Sequence, residues 1–142
     1  MKRTIALLAP WLPPIAWMAI ILVATSLPSE TQGAALQSGG PLSDPPRALL
    51  HVVFYAVLSL AFALALRNSG SALLRRVALP GAFLLATAYG AGDEYHQTFL
   101  ANHGGWPEDI GWDALGAFLA LVSASLVGLS WRRPIGGHPS SA

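Results

Sequence analysis

Four long apolar runs, separated by short polar breaks, limit what this chain can fold into. They cover about residues 5–27, 49–66, 77–95 and 110–131, and each approaches the ~20 residues that a helix needs to cross a hydrocarbon core of ~30 Å. Only 11% of the residues are charged, against about a quarter in soluble domains. We therefore predict an all-α polytopic membrane protein, in which residues 1–142 form a single transmembrane domain built as a four-helix bundle in the lipid bilayer.

The first run has a second interpretation. Lys2 and Arg3 precede the apolar stretch, and the small residues of 24–26 follow it, as in a secretory signal peptide. However, the run is longer than the apolar region of an ordinary signal peptide, and three prolines interrupt it. These features favour a membrane helix.

The positions of the charges predict an orientation. Most of the basic residues lie at the termini or in the second predicted loop: Lys2, Arg3, Arg67, Arg75, Arg76, Arg132 and Arg133. Because cytoplasmic loops are enriched in Lys and Arg, we expect both termini in the cytoplasm. Only Arg47 then lies on the outer side, where all of the carboxylate side chains are also found.

Polar side chains recur at the predicted outer ends of three helices. Pairs spaced four residues apart share a helix face, and three such pairs occur: His51 and Tyr55, Asp93 and Gln97, and Asp109 and Asp113. Glu94 adjoins the second pair. His51 and Tyr55 can also be read as ordinary interfacial residues, but an acid one turn inside the membrane, such as Asp113, costs several kcal/mol unless it is paired, hydrated or protonated. We predict that these seven residues form one site, with candidate catalytic or binding roles.

The acids of this site also suit a metal ion. Asp93, Glu94, Asp109 and Asp113 supply hard oxygen ligands, with His51 as a further candidate. Such a set favours Mg²⁺, Ca²⁺ or Mn²⁺. The sequence does not itself require a cofactor, and the absence of cysteine excludes thiolate ligands and disulfides.

Small residues follow two of the predicted helices at every fourth position. The two ridges are Ala78, Ala82, Ala86 and Gly90, and Gly116, Ala120, Ala124 and Gly128. Small residues at this spacing let membrane helices approach closely. The ridges predict close packing within the chain or an interface with a second copy of it.

The motifs resemble those of the VanZ-like family, which comprises small bacterial membrane proteins named for a teicoplanin-resistance protein. The matching segments are His51-x-x-x-Tyr55, Asp93-Glu94-x-x-Gln97-x-Phe99 and Asp109-x-x-x-Asp113-x-x-Gly116, and the resemblance covers about residues 10–130. The sequence departs from the family pattern where His103 replaces an arginine and Asp113 an asparagine. Arg47-Ala48 also stands in place of an Asp-Lys. The predicted site is thus more acidic than the family pattern.

The resemblance implies a multi-pass protein of the bacterial inner membrane. We expect it to bind or act beside lipid-linked envelope precursors, with a head group in the polar site and an effect on glycopeptide susceptibility (antibiotic resistance). The alternative is an intramembrane, divalent-metal-dependent hydrolase or transferase of a lipid-linked substrate, with His51 as general base; the sequence leaves open whether the protein is an enzyme. A transporter fits less well because no inverted repeat is visible. Nucleic acid is not expected as a partner because no large basic cluster is present.

Overall fold

The computed structural model describes residues 8–26, 45–100 and 107–127. Residues 5–7, 27 and 128–131 of the predicted spans lie outside these ranges, as does His103. Within them the chain forms helices, turns and no strand, which confirms the predicted all-α class for this part.

The described chain contains five α-helices. They are α1 (Leu12–Ser26), which follows a 3-10 turn at Ala9–Trp11, α2 (Pro45–Arg67), α3 (Ala72–Arg76), α4 (Ala78–Gln97) and α5 (Pro107–Leu126). The prolines of α1 and α5 fall in the first helical turns, where backbone N–H groups have no intrahelical acceptor to lose. The short α3 was not predicted. It begins after Ser71, whose hydroxyl accepts a hydrogen bond from the Leu74 N–H.

Three segments are long and apolar enough to cross a membrane: Ala9–Ser26, Arg47–Arg67 and Pro107–Leu126. They correspond to the first, second and fourth predicted spans. Helix α4 has 20 residues, but it does not join this group because proline, glycines and two acids lower its mean hydropathy. The apolarity of the described helices therefore supports a membrane protein with three candidate spans, and it does not confirm the predicted fourth.

Helix α2 is the centre of the bundle. It packs most extensively against α5 and then against α4, while α1 makes smaller contacts with α2 and α4. The core contains side chains from all four long helices, among them Ile21, Leu58, Phe62, Ala86 and Leu121. Two hydrogen bonds to main-chain carbonyls help to attach α1: the indole of Trp17 donates to the Phe54 carbonyl at 2.9 Å, and the Tyr89 hydroxyl donates to the Met18 carbonyl at 2.6 Å.

The α4 ridge of small residues packs inside the chain, and so does Gly116 of the α5 ridge, whose last member Gly128 lies outside the described residues. All four members of the α4 ridge are buried, and Gly116 of α5 lies directly against the main chain of α2 at Val52. A Cβ atom on Gly116 would lie 2.7 Å from the Cα of Val52. The α4 ridge is therefore used within the single chain and is not available for an interface with a second copy.

Contacts between helix ends fix their relative directions. Thr25 near the end of α1 meets Asp93 near the end of α4, and Arg47 at the start of α2 meets Asp109 at the start of α5. The ends of α1 and α4 and the starts of α2 and α5 therefore lie together. We call this end of the bundle the polar end.

Candidate functional site at the polar end

One face of α2 carries three functional side chains in consecutive turns. Arg47, His51 and Tyr55 are spaced by four residues and so lie above one another. The guanidinium of Arg47 donates to Oδ2 of Asp109, and Nδ1 of His51 lies 2.8 Å from Oδ1 of Asp113. The Tyr55 ring is buried and nearly parallel to the imidazole of His51, with 6.4 Å between the ring centroids. Arg47 and His51 on α2 are four residues apart, as are their partners Asp109 and Asp113 on α5, so the two pairs match.

The two α5 acids are completely buried. Asp109 and Asp113 each have 0% exposed surface, and the Nε2 atom of His51 lies 3.6 Å from Oδ2 of Asp109. His51 therefore lies between the two carboxylates, with one ring nitrogen toward each. Oδ1 of Asp109 and Oδ2 of Asp113 have no hydrogen-bond partner among the described residues. Since buried polar atoms are generally hydrogen-bonded, these two oxygens are acceptors that the described residues leave unsatisfied.

The end of α4 adds two acids and an amide. The Gln97 side-chain nitrogen lies 3.1 Å from Oε1 of Glu94 and 3.3 Å from Oδ2 of Asp93. The other oxygen of Asp93 lies 3.1 Å from the hydroxyl of Thr25, which is also 3.0 Å from the Ile21 carbonyl. All three α4 side chains are at most 5% exposed. The amide of Gln97 therefore links the two neighbouring acids, and Thr25 connects α1 to them.

Three side chains from three helices form a group that can hold a metal ion. One potential ligand atom from each of His51, Glu94 and Asp109 lies within 4.8 Å of the other two. Of the four predicted metal ligands, Glu94 and Asp109 belong to this group, whereas Asp93 and Asp113 form the hydrogen bonds described above. The imidazole of His51, which the sequence analysis gave as a further candidate ligand, is the third member of this group.

A glycine brings α4 close to the His51–Asp113 pair. A Cβ atom on Gly90 would lie 2.5 Å from Oδ2 of Asp113 and 3.1 Å from Cε1 of Tyr55. A larger residue would therefore have to displace the carboxylate. Gly90 is therefore part of the site, because its lack of a side chain leaves room for the Asp113 carboxylate.

All seven predicted site residues lie at the polar end, and the structure adds Arg47, Thr25 and Gly90, which the sequence analysis did not include among the site residues. In the sequence Arg47 stands out only as an outer-side arginine that departs from the family pattern, although its position one turn before His51 places it on the face of the predicted site. No pattern in the sequence singled out Thr25. Its role depends on how α1 packs against α4.

The aromatic residues at the end of α4 lie apart from this group. Tyr95 and Phe99 are exposed and pack edge to face, with ring centroids 5.0 Å apart. Their exposed rings suit the boundary between lipid and water, where aromatic side chains are enriched.

Comparison of the chain with protein-family models, with curated proteins and with solved structures finds no match. The chemistry of the site must therefore be argued from its geometry. A half-buried guanidinium, an imidazole bonded to a carboxylate and a group of acids can bind an anion, hold a cation or move a proton.

Proposed function

We propose that this chain is a VanZ-like integral membrane protein of the bacterial cell envelope, with four membrane spans, that binds the polar head group of a lipid-linked envelope precursor. The observation that carries this proposal is the concentration of buried polar side chains from three helix ends in one place beside lipid-facing helices. Burying polar side chains within a membrane costs free energy. A role in ligand binding explains why the protein retains them there. The sequence resemblance supplies the class of ligand.

In this proposal α4 is the fourth span and both termini are cytoplasmic. Arg67, Arg75 and Arg76 lie at or just after the end of α2 opposite the polar end, about 30 Å away along a helix of ~1.5 Å rise per residue. The positive-inside rule assigns that end to the cytoplasm. The polar end then faces the outer leaflet of the inner membrane, where a lipid-linked precursor can reach it.

Arg47 is the residue that gives the site an affinity for phosphate. Its guanidinium is one-fifth exposed, while its partner Asp109 is fully buried, so the arginine lies at the entrance of the site. A guanidinium binds phosphate oxygens through charge-assisted hydrogen bonds. In this proposal Arg47 supplies a fixed cation, although His103 replaces the arginine of the family pattern.

Native mass spectrometry of the full chain tests the proposal, with a polyprenyl phosphate as probe and phosphatidylglycerol as the competing lipid. We expect the polyprenyl phosphate to be retained preferentially by the wild-type protein and lost from Arg47→Gln. The matched control is Arg76→Gln, an exposed arginine at the other end of the bundle, which retains the probe. Equal retention of both lipids, or equal loss from both variants, would contradict head-group binding.

A second candidate is an intramembrane hydrolase or transferase of the same lipid-linked substrate. The observation that favours it is the His51–Asp113 hydrogen bond, since a carboxylate that orients an imidazole is a common arrangement for general-base catalysis. Mg²⁺, Ca²⁺ or Mn²⁺ in the acidic group would polarise the phosphate. Release of free phosphate or diphosphate from a polyprenyl diphosphate, lost in His51→Gln, would distinguish this candidate from simple binding.

A further inference from the structure

The polar end contains three side chains that can hold a metal ion, and one of the three is a histidine rather than an acid. His51 of α2, Glu94 of α4 and Asp109 of α5 each offer a ligand atom, and these atoms lie within 4.8 Å of one another. Metal–ligand distances are about 2.0–2.6 Å for nitrogen and oxygen donors. A single ion between the three side chains therefore requires only small side-chain movements.

Each of these three side chains also has a hydrogen-bonding partner of the kind that orients metal ligands. Asp113 bonds to Nδ1 of His51, Gln97 donates to Oε1 of Glu94, and Arg47 donates to Oδ2 of Asp109. Ligating histidines commonly donate their second ring N–H to a carboxylate, and ligating carboxylates are themselves hydrogen-bonded. With Nδ1 directed to Asp113, Nε2 is the nitrogen of His51 that can bind an ion.

The unpartnered oxygen of Asp109 is a second observation that favours a cation at this place. Asp109 is fully buried, Arg47 contacts its Oδ2 atom, and its Oδ1 atom has no partner among the described residues. A buried carboxylate oxygen without a partner is unfavourable. A cation in the group supplies the missing interaction.

The balance of charge at the polar end also favours a bound cation. Four carboxyl groups are buried at the polar end, those of Asp93, Glu94, Asp109 and Asp113. Among the described residues Arg47 is the only arginine at this end, with His51 and the exposed His96 as further cations when they are protonated. Buried charges in membrane helices need neutralising partners, and a divalent cation supplies two positive charges where the acids are concentrated.

We propose that His51 Nε2, Glu94 and Asp109 bind a divalent transition-metal ion, Mn²⁺ or Zn²⁺, in preference to Mg²⁺ or Ca²⁺. The imidazole decides the preference, since nitrogen donors suit transition metals whereas Mg²⁺ and Ca²⁺ take oxygen ligands. Asp113 is a positioning residue that fixes the ring of His51, and Asp93 takes no direct part. The inference concerns the same site as the proposed function but does not require head-group binding.

Metal titration of the full chain in detergent, purified without a histidine tag and stripped of metal, tests this proposal. We expect Mn²⁺ and Zn²⁺ to raise the melting temperature at concentrations at least tenfold lower than Mg²⁺ or Ca²⁺ needs. His51→Gln and Glu94→Gln abolish the shift. Asp113→Asn weakens binding by about 10–100-fold, the usual effect of removing an orienting partner.

Asp93→Asn is the matched control because Asp93 is the neighbouring buried acid that bonds to Thr25 and Gln97 instead. It retains the shift. Loss of binding in Asp93→Asn to the same degree as in Glu94→Gln would overturn the assigned ligand set, as would a wild-type protein that binds none of these ions or binds Mg²⁺ as tightly as Mn²⁺.

A measurement on the wild-type protein keeps the test independent of how well the variants fold. Pulsed electron paramagnetic resonance of bound Mn²⁺ detects a ¹⁴N coupling when imidazole is a ligand. We expect this coupling in the wild-type protein, and bound Mn²⁺ without it would overturn the role of His51. A protein that binds Mn²⁺ through nitrogen but retains no polyprenyl phosphate would refute the proposed function alone.

Discussion

Gly116→Ala tests whether the site is held by close contact between α2 and α5. In the structure a Cβ atom at this position would lie 2.7 Å from Cα and 2.8 Å from the carbonyl carbon of Val52, whereas carbon atoms in good contact are ~3.5–4.0 Å apart. Both neighbours belong to the main chain, so no side-chain rotation relieves the overlap. The helices must separate by about 1 Å.

The expected loss of stability follows from two opposing effects. Overpacking costs about 1–3 kcal/mol, and an overlap with main-chain atoms belongs in the upper part of that range, about 2–3 kcal/mol. Replacing glycine by alanine inside a helix returns about 1 kcal/mol. The net destabilisation expected for Gly116→Ala is therefore about 1–2 kcal/mol.

Gly111→Ala is the matched control on the same helix. A Cβ atom there meets nothing within 4 Å, so only the helical preference for alanine remains and the change is neutral or stabilises by up to about 1 kcal/mol. The difference between the two variants isolates the overpacking term of about 2–3 kcal/mol, which is about 30- to 140-fold in the unfolding equilibrium constant.

Reversible unfolding by sodium dodecyl sulfate in mixed micelles, followed by tryptophan fluorescence, measures this difference. The two variants should unfold at clearly separated detergent fractions, with Gly116→Ala the less stable. If their unfolding free energies agree within about 0.5 kcal/mol, α2 and α5 do not pack through Gly116 and the geometry of the site between them is wrong.

Two further predictions concern the site and its orientation. Gly90→Ala introduces a Cβ atom 2.5 Å from Oδ2 of Asp113 and should weaken Mn²⁺ binding at least severalfold. The control is Gly92→Ala, which should leave Mn²⁺ binding unchanged because a Cβ atom there meets nothing within 4 Å. Equal binding isotherms for the two variants would show that Asp113 does not position His51. The chain has no cysteine, so single cysteines at the exposed positions Tyr95 and Arg76 report topology. A membrane-impermeant maleimide added to intact cells should label Tyr95→Cys and not Arg76→Cys, and the reverse pattern would place the polar end in the cytoplasm.

Spacing along the sequence predicted that the three polar pairs gather at one end of the bundle, although it did not single out Arg47 or Thr25. Residues four apart share a helix face, and alternating helix direction brings the starts of α2 and α5 to the end of α4. The described helices place His51, Asp93 and Asp113 together at that end, in agreement with this reasoning. Apolar length also predicted α1, α2 and α5 as candidate spans.

The division of roles within the site could not be predicted in the same way. Whether Asp113 faces an ion or the ring of His51 depends on side-chain rotamers and on differences of about 1 Å, which helix periodicity does not resolve. The contact of Arg47 with Asp109 depends on how α2 packs against α5, which the position of Arg47 in the sequence does not determine. Asp93 and Glu94 make α4 part of the site, but they also lower its mean hydropathy. For this reason α4 is not among the candidate spans.

The imidazole of His51 provides the most direct test of the site. ¹⁵N NMR of the ¹⁵N-histidine-labelled protein, with the His51 signals assigned through His51→Gln, follows both ring nitrogens as diamagnetic Zn²⁺ is added. We predict that Nδ1 keeps its proton, hydrogen-bonded to Asp113, while the Nε2 resonance moves to the range of a metal-bound nitrogen. Unchanged resonances at saturating Zn²⁺, or metal binding at Nδ1, would contradict the proposed site.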